Sequence, residues 1–177
     1  LSFNINYSSG GLCWYAVHVR SRHEFKVSER LEMLKLEAFL PVIERVSTWK
    51  DRRKRVMFPL FPSYLFVRIK NTSNDKLSVL QTPGVITILR KTGAKSEYDA
   101  VPDEQITSLR KLIQTKTVLD PYFYLEDGDR IRITKGPLAG IEGLLVRKEK
   151  KHLLVLLVDI LRQGVSVVIN ASDTEKV

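Results

Sequence analysis

The sequence predicts an α+β N-terminal domain, an antiparallel sheet flanked by helices, followed by a small all-β barrel. Three observations carry this expectation. Up to about residue 115, strand-like runs alternate with two amphipathic helical stretches. Beyond about residue 125, short apolar runs are separated by Gly-rich turns. Charge divides at the same place: residues 1–125 hold 20 Lys and Arg against 12 Asp and Glu, whereas residues 126–177 hold 9 against 8. A basic first part and a near-neutral second part imply two modules with different partners. The basic one suits nucleic acid or an acidic protein surface.

The first module begins with Trp14 to Val19, which reads as a strand. Ser21 then offers an N-cap with Glu24 three residues later, the spacing of a capping box. Val27, Leu31 and Leu34 follow at helical spacing, so an amphipathic helix is expected over about residues 22–36, with Arg22, Lys26 and Arg30 on its polar side. Ala38 to Val46 reads as one strand with Pro41 at an edge or bulge. Ser47 to Met57 reads as a hairpin tip. Trp49 stands there beside Arg52, Arg53, Lys54 and Arg55, and the lack of Gly predicts a loop longer than two residues.

The most informative stretch comes next: Phe58, Pro59, Leu60, Phe61, Pro62, Ser63, Tyr64, Leu65, Phe66, Val67, Arg68, Ile69. Its prolines cannot donate to a ladder and fit a strand's lead-in. Alternation puts Phe61, Leu65, Val67 and Ile69 on one face and Tyr64, Phe66 and Arg68 on the other. The second face is either core as well or an apolar patch that meets a partner. Residues 71–75 read as a polar loop and 76–81 as a short helix. Thr82, Pro83 and Gly84 read as a turn, and Val85 to Arg90 as a strand. Val101, Pro102, Asp103 and Glu104 open a helix with Pro and acids in its first turn, and Ile106, Leu109, Leu112 and Ile113 form its apolar stripe.

Residues 116–124 have no clear period and are expected to be a linker between domains at 13–115 and 125–177. In the last module, Leu153, Leu154, Leu157, Ile160 and Leu161 fall at helical spacing. Val155, Val158, Val165, Val167, Val168 and Ile169 favour strands instead. Gly136, Gly140, Gly143 and Gly164 would each cost about 1 kcal/mol inside a helix relative to Ala. The balance predicts a five-stranded barrel.

Composition excludes several classes. At 177 residues, 44% hydrophobic and 28% charged, the chain is ordinary for a soluble globular protein with one or two domains. No apolar run approaches the roughly 20 residues of a membrane span. Residues 1–12 lack the basic start and apolar middle of a signal peptide and are expected to be a disordered leader. Cys13 is the one cysteine, which excludes an intramolecular disulfide or a cysteine-based metal site and suits the cytoplasm. His18, His23 and His152 have no metal-ligand spacing. No phosphate-cradling loop precedes a helix and no acids are paired for catalysis. The expectation is a non-enzyme without a cofactor. Two basic sets remain as nucleic-acid candidates: Arg52, Arg53, Lys54 and Arg55 with Trp49 nearby, and Arg20, Lys26 and Arg30. Cations meet phosphate and a ring stacks on a base; the alternative is a merely solvated basic surface.

From Trp14 onward the chain resembles the NusG family of transcription elongation factors, and within it specialised antiterminators of the RfaH and UpxY type. The resemblance rests on Trp14 and Tyr15, the stretch Phe58 to Val67, Thr82 to Val85, and Val101 to Asp103. It also rests on Gly128 to Gly143, which is similar to a KOW motif, so the barrel is expected to be an SH3-like KOW domain. The resemblance implies a monomeric, cytoplasmic factor that docks on the clamp helices of bacterial RNA polymerase through Tyr64, Phe66, Ile88, Ile106 and Leu109. It implies contact with the non-template DNA strand at Arg20, Lys26, Arg30 and Thr82, and a KOW domain that recruits a ribosomal protein or termination factor. The match departs at Lys91, where an aromatic is implied, and at Asp75 and Lys76, where the family's second polymerase contact differs. The alternative from another class is a ribosome-associated RNA-binding KOW protein. The near-neutral charge of the second module argues against it.

Overall fold

The computed structural model describes residues 11–49, 52–90, 98–115, 119–122, 128–148 and 151–177. The expected leader lies outside these residues except for its end, where Leu12 already starts a strand. In chain order the elements are β1 (Leu12–Val19), α1 (Glu24–Met33), β2 (Glu37–Phe39), β3 (Val42–Trp49), β4 (Arg52–Pro59) and β5 (Tyr64–Lys70). Next come α2 (Ser73–Leu80), β6 (Val85–Ile88), β7 (Ala100–Val101), α3 (Asp103–Gln114) and β8 (Leu119–Tyr122). The last are β9 (Asp129–Ile133), β10 (Glu142–Lys148), β11 (Lys151–Val158), β12 (Gln163–Ile169) and β13 (Thr174–Lys176). Two compact units result, one from Leu1–Leu40 with Pro62–Pro102, the other from Pro41–Phe61 with Asp103–Val177.

The first unit is an antiparallel sheet in the order β2-β5-β1-β6, with β7 also paired to β1. One face carries Cys13, Tyr15, Val17 and Val19 of β1, Leu65, Val67 and Ile69 of β5, and Ile88 of β6. Val27 and Leu31 of α1 and Val79 of α2 close over it. Each of these side chains that leaves water contributes about 1.5–3 kcal/mol if large and aliphatic, so this face alone supplies a complete core.

The helix start differs from the capping box that the sequence suggests. Arg22 takes a left-handed conformation at φ 63°, and α1 begins only at Glu24 after an uncapped His23. Glu24 is 5% exposed and turns inward. Its Oε1 accepts the backbone N–H of Ser63 at 2.8 Å. Ser63 is itself left-handed, at φ 67°, and its carbonyl accepts the N–H of Val19 at 2.9 Å. A carboxylate placed to reach back to its own helix thus anchors a strained turn ahead of β5.

Pro41 breaks the single strand expected over 38–46 into β2 and β3. Lacking an N–H, it cannot continue the ladder, while its carbonyl accepts Leu60 N–H at 2.8 Å. The helix expected from residue 76 starts at Ser73, because the Thr72 hydroxyl accepts Asp75 N–H at 3.2 Å and caps it.

In the second unit β3 and β4 pair only with each other among the described residues, with Trp49 opposite Arg52. The hairpin connection is therefore two residues, shorter than its composition suggested. The all-β module is a six-stranded sheet in the order β13-β9-β10-β11-β12-β8. The strand beyond the expected five is β8, inside the stretch expected to be a linker, where Leu119 to Tyr122 pair with Val167 to Gly164. β11 is buried on both faces. Leu154, Leu156 and Val158 line one, while Val155 is fully buried on the other. α3 packs against this strand. Ile106, Leu109 and Leu112 of α3 are buried, Gln105 Nε2 donates to Asp159 Oδ2 at 3.1 Å, and Lys111 Nζ donates to the Ala139 carbonyl. Burial on two sides explains the unbroken apolar run of β11. At the far edge, Glu142, Arg132 and Glu175 stand in line across β10, β9 and β13. Arg132 meets Glu142 at 2.6 Å and Glu175 at 3.5 Å. The hydrogen bond to Glu142, then its charge, holds the guanidinium pKa above its ordinary value.

Replacing Glu24 by Ala leaves the Ser63 N–H without its charged acceptor. The expected loss is about 1.5–3 kcal/mol of unfolding free energy, read from urea denaturation. Glu24→Gln, which keeps an acceptor, is expected to lose less than half of that. Equal losses for the two variants would show that the bond to Ser63 does not matter.

Candidate functional site

The strand register that builds the core also builds the sheet's other face. Trp14 lies opposite Arg68, Ala16 opposite Phe66 and His18 opposite Tyr64. On the neighbouring strand Phe39 lies opposite Phe66 and Glu37 opposite Arg68. These residues form one connected surface. Phe39 stacks on Phe66 at 6.1 Å between centroids and meets Trp14 edge-on at 6.3 Å. His18 stacks on Tyr64 at 5.1 Å. The Arg68 guanidinium lies 6.0 Å from the Trp14 ring and 3.5 Å from the Glu37 carboxylate.

Burial corrects the expected patch. Phe66 is 0% exposed and Trp14 3%, while His18, Phe39 and Tyr64 are half-buried. Phe66 is therefore not an exposed anchor. Ile88 stands opposite Val17 and belongs to the helix-covered core, on the other side of the sheet. Ile106 and Leu109 lie in the second unit and are also buried, at 1% and 0%. Of the five expected docking residues, the first unit brings together Tyr64 and Phe66 on this face. It adds His18, Phe39, Trp14 and Arg68, which the reading of single strands missed. The signal was present as the period of two through Trp14, Ala16 and His18, but only pairing with β5 shows which face they share.

The basic residues of the first unit converge on a turn. Val85 N–H donates to the Thr82 carbonyl at 3.0 Å, with Pro83 and Gly84 between them. Gly84 has φ 101°, and a Cβ there would lie 2.8 Å from Val27 Cγ2 of α1. Arg20 N–H donates to the Gly84 carbonyl at 2.8 Å, and Arg30 Nη1 to the Pro83 carbonyl at 2.5 Å. Arg20 and Arg30 therefore meet at one corner, although ten residues separate them. Lys26, exposed, precedes Arg30 by one helical turn. Thr82 does not join them as a surface group. It is 4% exposed, and its hydroxyl donates to the Ser78 carbonyl at 3.0 Å, closing the end of α2.

On the hairpin, Arg55 is exposed and lies 3.7 Å from Glu44. The side chains of Trp49, Arg52, Arg53 and Lys54 lie outside the described residues, as does Lys91. Asp75 accepts the Lys70 N–H at 3.0 Å, and Lys76 Nζ lies 5.3 Å from the Tyr98 ring. Both residues are thus tied to their own unit.

Comparison with known proteins gives consistent matches. A family model described as transcription termination factor NusG matches residues 12–110. The chain is similar to the transcription termination/antitermination protein NusG of Staphylococcus carnosus, 28% identical over 94% of this chain and 97% of that protein. The protein of the same name from Staphylococcus aureus Mu50 matches with the same identity and coverage. Among solved structures, Thermotoga maritima NusG superposes with a TM-score of 0.55 at 19% identity, over 94% of this chain and 98% of that one, which shows a shared fold.

The corner depends on Gly84. Gly84→Ala forces a side chain into left-handed backbone and against Val27, with an expected cost of more than about 1 kcal/mol. Thermal denaturation measures it. A neutral outcome would mean that the turn does not rest on α1.

Proposed function

The chain belongs to the NusG family, and from that premise we propose that it is a non-catalytic transcription elongation and antitermination factor. It binds bacterial RNA polymerase through the aromatic face of β1, β2 and β5, suppresses pausing or termination, and recruits a second protein through its all-β module. It acts in the cytoplasm as a monomer.

The observation that carries this reading is the aromatic face itself. The sheet already has a full core under α1 and α2. Rings are not needed on its other side to hold the strands together, yet that side carries Trp14, His18, Phe39, Tyr64 and Phe66. Half-buried rings with one polar end suit a protein interface. His18, Phe39 and Tyr64 are the rings that the clamp helices would meet first, while Phe66 and Trp14 support them. Docking shifts the polymerase towards its processive state by the difference in affinity between states and no more. The corner of Arg20, Lys26 and Arg30 supplies cations for the displaced non-template strand.

The test is retention of polymerase subunits on the full chain after nuclease treatment. Tyr64→Ser is expected to weaken binding by about 2 kcal/mol, roughly thirtyfold, with an unchanged unfolding midpoint. Phe66→Ser, by contrast, is expected to lower stability by about 3–5 kcal/mol. Unchanged polymerase binding by Tyr64→Ser would remove the face from the reading. Retention of ribosomal proteins that depends on ribosomal RNA, without polymerase, would replace it with the ribosome-associated alternative.

A second measurement concerns the basic corner. Changing Arg20, Lys26 and Arg30 to Ala is expected to reduce the salt dependence of single-stranded DNA binding. The slope falls by about 0.7 for each phosphate that is no longer neutralised. An unaltered slope would show that these cations do not meet phosphate.

A further inference from the structure

We infer that the ribbon β3–β4 is a duplex-DNA element that enters the major groove and meets phosphates on both groove walls. This goes beyond the single-strand binding proposed above and does not depend on polymerase docking. The ribbon is a separate two-stranded sheet among the described residues. Consecutive residues on each strand are exposed: Glu44 and Arg45 on β3, Met57 and Phe58 on β4. Neighbours on a strand point to opposite faces, so both faces are open here. An isolated two-stranded hairpin is marginal in water, and one with two open faces is stabilised most by a partner that covers both.

The register assigns the charges. Trp49 opposite Arg52, Ser47 opposite Lys54 and Arg45 opposite Val56 share one face. Thr48 opposite Arg53, Val46 opposite Arg55 and Glu44 opposite Met57 share the other. The ion pair of Arg55 with Glu44 at 3.7 Å agrees with this assignment, since it joins diagonal neighbours of one face. Both partners are largely exposed, so the pair is weak and a phosphate can displace Glu44. Glu44 is the one acid in the two strands, against Arg45, Arg52, Arg53, Lys54 and Arg55.

Cations on both faces discriminate between nucleic-acid forms. A single-strand platform gathers its charge and rings on one face. A ribbon inside a groove has phosphates on either side and needs charge on both. Two strands of eight residues run about 26 Å, and a B-form major groove about 12 Å wide admits such a ribbon. The narrow major groove of duplex RNA does not.

The experiment titrates the full chain with a 20-base-pair DNA duplex, the matching single strand and the matching RNA duplex at several salt concentrations. Arg52→Ala with Lys54→Ala empties one face, and Arg53→Ala with Arg55→Ala empties the other. Each pair is expected to lower the duplex-DNA salt slope by about 1.8, at 0.9 per phosphate, and to leave the single-strand slope unchanged. Lysine at Arg52, Arg53 and Arg55 keeps the charge and should keep the slope, which separates removal of a cation from disruption of the hairpin. A decrease confined to one pair means that the ribbon lies flat on its ligand, and overturns the inference. So does an equal decrease on the single strand, or tighter binding to duplex RNA than to duplex DNA. None of these readouts involves polymerase or the Arg20 corner, so each can fail without the other.

Discussion

The pairing of β1 with β5 is the constraint on which the first unit depends. Seven residue pairs, from Leu12 with Lys70 to His18 with Tyr64, lock two strands that are distant in sequence. Because side chains alternate, this one register sends Tyr15, Val17, Leu65 and Val67 under the helices. The same register sends Trp14, His18, Tyr64 and Phe66 to the other side. A slip of one residue would exchange the two sets and put Arg68 into the core. Core and candidate interface are thus one decision, and the interface inherits the rigidity of the core.

Two backbone exceptions hold the ends of that pairing. Ser63 in left-handed geometry leads into β5, and the Glu24 carboxylate with the Val19 N–H fixes it on both sides. Gly84, also left-handed, leads into β6, where a side chain would strike Val27. Both turns press on α1 or its first residue. The helix therefore does more than cover the sheet. It sets the position of the two turns, and through the second it brings Arg30 to Arg20. A basic corner built on carbonyl hydrogen bonds from a tight turn keeps its cations in place before any ligand arrives, which lowers the entropic cost of binding.

The second unit solves a different problem. Its long strand β11 is apolar on both faces, and a six-stranded sheet can cover only one of them from within. α3 covers strand β11 from outside, with Gln105 and Lys111 hydrogen-bonded to Asp159 and to the Ala139 carbonyl. The two-stranded ribbon has no such cover at residues 44, 45, 57 and 58. Apolar surface and charge coexist there on open faces.

Much of this was legible in the residues. Apolar alternation placed β1, β5 and the barrel strands. Valines and glycines outweighed leucines in the last fifty residues, and Pro102 with Asp103 marked the start of α3. Those signals are local: propensity, periodicity and turn chemistry act between neighbours in the chain. What the sequence alone could not decide was every feature that needs a partner from far away. Glu24 reads as half of a capping box until Ser63, 39 residues on, is brought to it. Thr82 reads as a surface hydroxyl until Ser78 and the packed turn enclose it. Ile88 reads as one more apolar strand residue, and only its position opposite Val17 puts it in the core and off the interface. Local physics determined which segments become strands and helices. Tertiary packing decided which side of each strand is buried and which charges share a corner, because burial and register are set by pairings that no single segment contains.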